Sequence, residues 1–349
     1  MLRGLRFGIT STIVAAIVVL VGAQIIRDRA LWLFYCMYVP MWAIAIAAVA
    51  WDLLLIGRAL PLRFLMLCIG AATGMLAVGM MWAPARVAEG DASQPTLTVL
   101  QWNVQWGGLS GPVSLEKIVG EIVARRPQII CLSEAPPQQY FDHYWKLQAG
   151  PDWHIASANG NSHSFSWYRL TVLSRAPVRQ NGFWPLETGV AALFEVAVPE
   201  SPLRPLRVLM VDLESEPSVP RTPSLLQVAA LVDKHAARGT PIDFVLGDFN
   251  TPSRFRGFDA ISAAGEGYER AALWSGQWRA TWPSRLVLPF RGRDREFRNT
   301  WRLSTLDIDH IWVRSKLDVV AAAIFTNFAV DHRGQTVTVR LPRPHHATP

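Results

Sequence analysis

At 349 residues the chain has room for two compact units, or for one large domain with an appendage. Half of it is hydrophobic, and a formal charge of +7 with a pI near 9.7 suits anionic partners (nucleic acid, phospholipid headgroups, phosphorylated metabolites) without choosing among them. Three scattered cysteines, Cys36, Cys68 and Cys131, exclude a disulfide framework and a cysteine-built zinc site.

Three charge-free stretches open the chain: Phe7–Ile26, Leu31–Trp51 and Phe64–Ala85. Each has about the 20 residues that carry a helix across a bilayer core, and Trp32, Trp51 and Trp82 stand near their ends, where indole rings favour the interface. The pattern predicts a three-span anchor over residues 1–87. Arg3, Arg6, Arg58 and Arg63 against Arg27 and Arg29 put the N-terminus inside by the positive-inside rule and the C-terminal domain outside the cytoplasm, as in a multi-pass bacterial inner-membrane protein. Gly70 and Gly74 form a small-xxx-small pair, of a kind that an Ala/Gly-rich span also produces by chance.

Residues 88–95 read as a linker and 343–349 as a tail. Between them, over 96–342, short β-type runs (Leu97–Trp102, Gln128–Leu132, Leu206–Leu213, Ile242–Leu246, Ile308–Val313, Thr336–Leu341) alternate with helical ones. Ser114–Arg125, with Ser114 as cap and Leu115, Ile118, Val119, Ile122 and Val123 on one face, predicts a helix, and Leu225–Ala237 a second. This is a mixed α/β pattern.

The polar residues fall at the ends of the apolar runs. One run closes on Asn103, another on Glu134; a third breaks at Gly247 and presents Asp248 and Asn250; Asp309 opens a fourth, and Asp331-His332 precede the last. Strand ends collect on one rim of a sheet, so these segments converge on one cleft. Hard carboxylate and amide oxygens suit Mg²⁺ or Mn²⁺, and an Asp beside a His adds a general base or a phosphate contact.

Leu246-Gly-Asp-Phe-Asn250, with the Trp-Asn-Val start, the Leu-Ser-Glu strand end, Thr281-Trp282-Pro283, the Ile-Asp strand and the final Asp-His-Arg, resembles the ordered signature of the endonuclease/exonuclease/phosphatase superfamily, from about Thr96 to Leu341. Three spans before it resemble a bacterial membrane-anchored branch. The resemblance implies a four-layer α/β sandwich of the deoxyribonuclease I type and a metal-dependent hydrolase of phosphate esters. It implies that Glu134 binds the metal with Asn103 beside it, that Asp331 is a second acid of the metal or phosphate site, and that Asp248 positions or deprotonates the attacking water. Asn250 would hold a nonbridging oxygen and Asp309 would orient His332. Many members carry a phosphate-contacting histidine where this chain has Asp212; His163 and Tyr168 are the candidates to replace it.

Thr281–Leu303 gathers Arg285, Arg291, Arg293, Arg295, Arg298 and Arg302 among aromatics, which suits either a polyanion surface or a solvated loop. The expected partners are a phosphate-ester substrate and the lipid bilayer, with no obligate protein partner. The competing reading is a membrane-tethered binding or scaffold module on the same fold. Asp212 favours that alternative, and retention of Glu134, Asp248, Asn250, Asp309 and His332 disfavours it. A transporter is excluded by spans that hold no charge beyond Asp52 near an end.

Overall fold

The computed structural model describes residues 2–29, 31–54, 63–82, 84–86, 88, 94–108, 112–159, 169–199, 201, 204–283, 286–287, 300–301, 304–327 and 329–342. His163, Tyr168, all six arginines of the 281–303 stretch and the 343–349 tail lie outside these, as does most of the 88–95 linker. The chain divides into two compact units, the first comprising Met1–Ala83 with Arg254–Arg256 and the second the remainder.

In the first unit, α1 spans Leu2–Ile26, α2 Leu31–Met37, α3 Met41–Leu54 and α4 Arg63–Met81. Two segments, Phe7–Ile26 and Phe64–Met81, are long and apolar enough to cross a membrane. The middle stretch, expected as one span, is instead two helices of 7 and 14 residues. At 1.5 Å per residue these reach roughly 10 and 21 Å, short of a ~30 Å hydrocarbon core. Pro40 makes the break: it has no amide hydrogen to continue a helix and disfavours helical geometry at Val39. The backbone turns back through Val39 N–H to Cys36 O, and α3 restarts with Ala43 N–H donating to Pro40 O at 3.0 Å. Of the pair, Gly70 has a packing role, whereas a Cβ on Gly74 would make only ordinary contact with Ala45, at 3.7 Å. A Cβ on Gly70 would lie 2.7 Å from Val49 Cγ2 and 3.1 Å from Ala45 O, so the missing side chain is what lets α4 approach α3. Phe7, Val18 and Ile25 of α1 and Phe64 and Met75 of α4 are exposed.

The second unit is a two-sheet sandwich. In chain order its elements are β1 (Thr96–Asn103), α5 (Pro112–Arg125), β2 (Ile129–Ser133), α6 (Gln138–Ala149), β3 (His154–Asn159), β4 (Arg169–Ser174), β5 (Val178–Leu186), β6 (Gly189–Val196) and β7 (Leu206–Leu213). There follow α7 (Thr222–Ala237), β8 (Phe244–Asp248), α8 (Gly257–Ala263), β9 (Tyr268–Arg270), β10 (Leu286–Val287), β11 (Thr300–Trp301), β12 (Asp309–Arg314), β13 (Asp318–Phe325) and β14 (Gly334–Arg340). One sheet runs β13-β14-β1-β2-β4-β3 and the other β5-β6-β7-β8-β12-β9; β10 and β11 form a small ribbon. The expected strands are present with ends shifted by up to two residues. Helix α5 starts two residues before the expected cap: Pro112 occupies its first position, and Ser114 is buried inside the first turn.

Period-two alternation fixes which side chains meet. Leu97 and Val99 of β1, Ile129 and Cys131 of β2, Val208 and Met210 of β7, Phe244 and Leu246 of β8, Ile311 and Val313 of β12, and Val337 and Val339 of β14 fill the core between the sheets. The alternate residues Leu100, Trp102, Ile130 and Leu132 pack under Leu115, Ile118, Val119 and Ile122 of α5 and Phe141 and Trp145 of α6. On the second sheet Phe258 of α8 stacks on Trp312 of β12, with ring centroids 5.6 Å apart.

Candidate active site

The same alternation carries past the apolar core. Counting in twos, Gln101 and Asn103 follow Val99, Asp212 follows Met210, Asp248 follows Leu246, and Asp309 precedes Ile311, so these polar residues face the space between the sheets at one end. Both parallel pairs, β1 with β2 and β7 with β8, run their carboxyl ends to that rim, and antiparallel β12 begins there. Ligands of open α/β sheets bind outside such strand ends.

Register makes the arrangement tighter than strand ends alone would. Asp212 pairs with Asp248 across β7–β8, and Asp248 with Asp309 across β8–β12. Three carboxylates therefore stand side by side on adjacent strands, all at most 2 % exposed, where like charges repel. Burial first, then the neighbouring Asp309, raises the Asp248 carboxyl to about 7, opposed by His332 and by hydrogen bonds from Asn103 and Asn250. Asp212 is pushed well above the usual carboxylate range by burial, Asp248 and Glu134, and Glu134 is raised chiefly by burial.

The counter-charge is His332. Its Nδ1–H donates to Asp309 Oδ2 at 2.9 Å, and Nε2 lies 3.8 Å from Asp248 Oδ2 and 3.9 Å from Asp331 Oδ1. Burial would depress this imidazole, but Asp309, then Asp248, lift it to about 10, so it is a cation at neutral pH. Trp102 Nε1–H donates to the His332 carbonyl at 3.1 Å and fixes the segment, while Thr281 Oγ1 accepts from the Ile308 and Asp309 amides and holds the strand start. Trp282 Nε1 points at Asp331 Oδ2, 3.3 Å away.

Asn103 bridges the two sheets: its Nδ2 donates to Glu134 Oε1 and to Asp248 Oδ2, each at 2.9 Å, and its Oδ1 accepts from Gln105 N–H at 3.0 Å. Asn250 N–H donates to Asp248 Oδ1 at 2.8 Å, and its Nδ2 to Leu213 O at 2.8 Å. Gln105, Trp106, Glu134 and Asn250 all have positive φ (45°, 57°, 48° and 46°), four of the six such non-glycine residues among those described. Each costs on the order of 1–3 kcal/mol, a strain that concentrates at functional sites. Gly247, at φ 143°, admits no side chain: a Cβ there would lie 1.9 Å from Val211 O.

The structure thus brings together Asn103, Glu134, Asp248, Asn250, Asp309, Asp331 and His332, while His163 lies outside the described residues. Among the described residues, one group of side chains lies close enough to share an ion, Asp248, Asp309 and His332, with ligand atoms within 4.8 Å of one another. A protonated imidazole ion-paired to Asp309 is a poor ligand, so a cation belongs on the carboxylate side. Buried oxygens without hydrogen-bond partners, Asp212 Oδ2, Asp309 Oδ1 and Asp331 Oδ1, together with the hard-oxygen donor set, fit a divalent cation.

Residues 100–338, well over half the chain, match the Endonuclease/Exonuclease/phosphatase family. The chain belongs to this family. Its members are phosphoric ester hydrolases that generally use divalent metals. No curated protein matches the chain. Among solved structures, a family protein from Bacteroides thetaiotaomicron aligns with TM-score 0.54 and 15% identity, covering 74% of this chain and all of that one. A mannosyl-6-phosphatase of the same species aligns at 0.52 and 15%, covering 70% of this chain and all of that one. The human Nocturnin catalytic domain with bound sulfate aligns at 0.50 and 19%, covering 71% and 94%. At such identities the likeness establishes the shared fold, the two-sheet α/β sandwich of the deoxyribonuclease I type.

Two features of the centre escaped the sequence. The Asp212–Asp248–Asp309 row needs strand register. The Gln105–Trp106 turn carries a signal in hindsight, since it directly follows Asn103 and Val104 at a strand end.

Proposed function

We propose that this protein is a divalent-metal-dependent hydrolase of phosphate esters. Residues 96–342 would form its catalytic domain, and residues 1–87 would anchor it in a bilayer. The carrying observation is a buried imidazole, His332, held by Asp309 and facing Asp248 across 3.8 Å, with Asn103 tying Asp248 to Glu134.

A bound Mg²⁺ or Mn²⁺, held by Glu134 with Asp331 as the second acid, would supply charge for the phosphoryl oxygens. The chain's own groups do the rest. Asp248, raised to about 7, is poised to take a proton from the attacking water near neutral pH. Asn103 keeps Glu134 and Asp248 in fixed relation through its two donated hydrogen bonds. His332 Nε2–H is a charged donor toward negative charge developing on phosphorus-bound oxygens, and Asp309 keeps it protonated and oriented. Asn250 lines the same rim as a further substrate contact. Asp248 and Asp309 are offset by His332, Asn103 donates to Asp248 and Glu134, and the cation would sit on Glu134 and Asp331. The apolar, exposed α1 and α4 support the anchor.

The test is hydrolysis in ¹⁸O-water by the detergent-solubilised full chain with Mn²⁺, then with chelator. The reading expects one label in the phosphate product and no turnover after chelation. Turnover that survives chelation would sink it.

A further inference from the structure

Next to Glu134 lies a set of polar atoms that this chemistry leaves unused. The strained Gln105–Trp106 turn is tied down by Trp106 N–H, which donates to Glu134 O at 2.7 Å, so the indole is carried beside the metal-site end of β2. Arg169, the first residue of β4, arrives from the other side. Its carbonyl accepts from Ala135 N–H at 3.1 Å, and its guanidinium carbon sits 5.3 Å from the centre of the Trp106 ring. Among the described residues, Arg169 Nη1 is buried with no hydrogen-bond partner, and so is Gln105 Oε1.

Four other half-buried or buried arginines of this sandwich have acceptors for their guanidinium groups, while Arg279 Nε and Arg314 Nε, like Arg169 Nη1, are buried without one among the described residues. Arg204 pairs with Asp243, Arg207 with Glu195 and Arg270 with Asp307, and Arg333 donates to the carbonyls of Trp278 and Ala280. Arg169 has the indole face instead of a carboxylate: that contact accounts for its position, but a cation–π contact leaves the in-plane Nη1–H donors unused. A buried donor without an acceptor is costly, and a guanidinium is charged at every working pH. An anionic oxygen of a bound ligand would complete it. The planar fork and aromatic backing suit phosphate or carboxylate oxygens.

We propose that Arg169, seated on Trp106, forms a subsite for a second anionic group of the substrate. The preferred substrates are then phosphate esters that carry a further negative charge near the scissile phosphate. This rests on the hydrolase reading of the adjoining centre. The second charge is either the neighbouring phosphate of a polynucleotide or a second phosphate on a small metabolite, and the two arms of the experiment separate these.

The full chain in detergent with Mn²⁺ is given two matched substrate pairs: dithymidine monophosphate with and without a 5′-phosphate, and a hexose bisphosphate with its monophosphate. In at least one pair the extra phosphate raises kcat/KM by about tenfold, the size of one charge-assisted contact, mainly through KM. Arg169→Gln abolishes that preference, and Arg169→Lys, which keeps the charge without the fork, restores part of it. Preference in the first pair identifies a polynucleotide substrate, and in the second a small bisphosphate. Pyrophosphate binding by calorimetry gives a readout independent of turnover, weakened at least about fivefold in Arg169→Gln. The proposal is overturned if neither pair shows a preference, if Arg169→Gln lowers both members of a pair equally, or if pyrophosphate binds wild type and variant alike. Loss of all hydrolysis with pyrophosphate binding still dependent on Arg169 would count against the hydrolase reading and leave the subsite standing.

Discussion

Replacing Asp309 with Asn tests the charge logic of the centre. Asp309 is 1 % exposed, its Oδ2 lies 2.9 Å from His332 Nδ1, and after the opposing effect of burial it is the main cause lifting His332 to about 10. The amide keeps the shape and removes the charge, so the imidazole should lose its proton in its buried setting and stop acting as a charged donor. Loss of such a group costs roughly 10²–10⁴ in kcat. In the pH–rate profile, wild type should show an alkaline limb near 10, and Asp309→Asn should move that limb down by several pH units. The stability sign follows from linkage. A histidine whose folded value is raised contributes stability that is full below its ordinary 6.5 and is lost as pH rises through about 10. Breaking a buried pair costs about 3–5 kcal/mol. The metal-free variant should therefore melt roughly 6–20 °C below wild type at pH 6, with the gap closing by pH 10. An alkaline limb still near 10 in the variant, or a melting gap independent of pH, would refute the reasoning.

Asp212→Asn should stabilise the metal-free protein by about 1–3 kcal/mol at pH 8, because a carboxyl with a raised value penalises the fold above its ordinary range. The gain should shrink toward pH 4, as read by urea unfolding at both values. Glu134→Gln should weaken Mn²⁺ binding by more than the roughly 10–100-fold that loss of an outer-shell partner costs, as measured by titration calorimetry. Gly247→Ala should cost roughly 3 kcal/mol in urea unfolding, since its Cβ would meet the Val211 carbonyl and its φ of 143° disfavours any side chain.

Much of the sandwich could be read from alternation in the sequence. The runs at Leu97, Leu206 and Asp243 are apolar in twos and end in Asn103, Asp212 and Asp248, and their direction is set by the α5 and α7 crossovers between parallel strands. The convergence of Asn103, Glu134, Asp248 and His332 followed from strand ends. What sequence could not supply is lateral register: that Asp212, Asp248 and Asp309 share one row depends on pairings between strands up to 61 residues apart. The Arg169–Trp106 contact is likewise a product of tertiary structure. Pro40 is a different case. Its helix-breaking geometry was written in the chain, but uniform hydropathy across Leu31–Trp51 concealed it, because hydropathy responds to transfer energy and not to a missing amide hydrogen.

The central claim is that the carboxylate–imidazole rim hydrolyses phosphate esters with a divalent cation. Steady-state turnover of bis-p-nitrophenyl phosphate by the full chain, wild type beside Asp248→Asn, across a Mn²⁺ titration tests it most directly. The account predicts saturable, Mn²⁺-dependent release of p-nitrophenol in wild type that falls at least about 10²-fold in the variant. Equal rates in the two proteins, or rates indifferent to the metal, would contradict it.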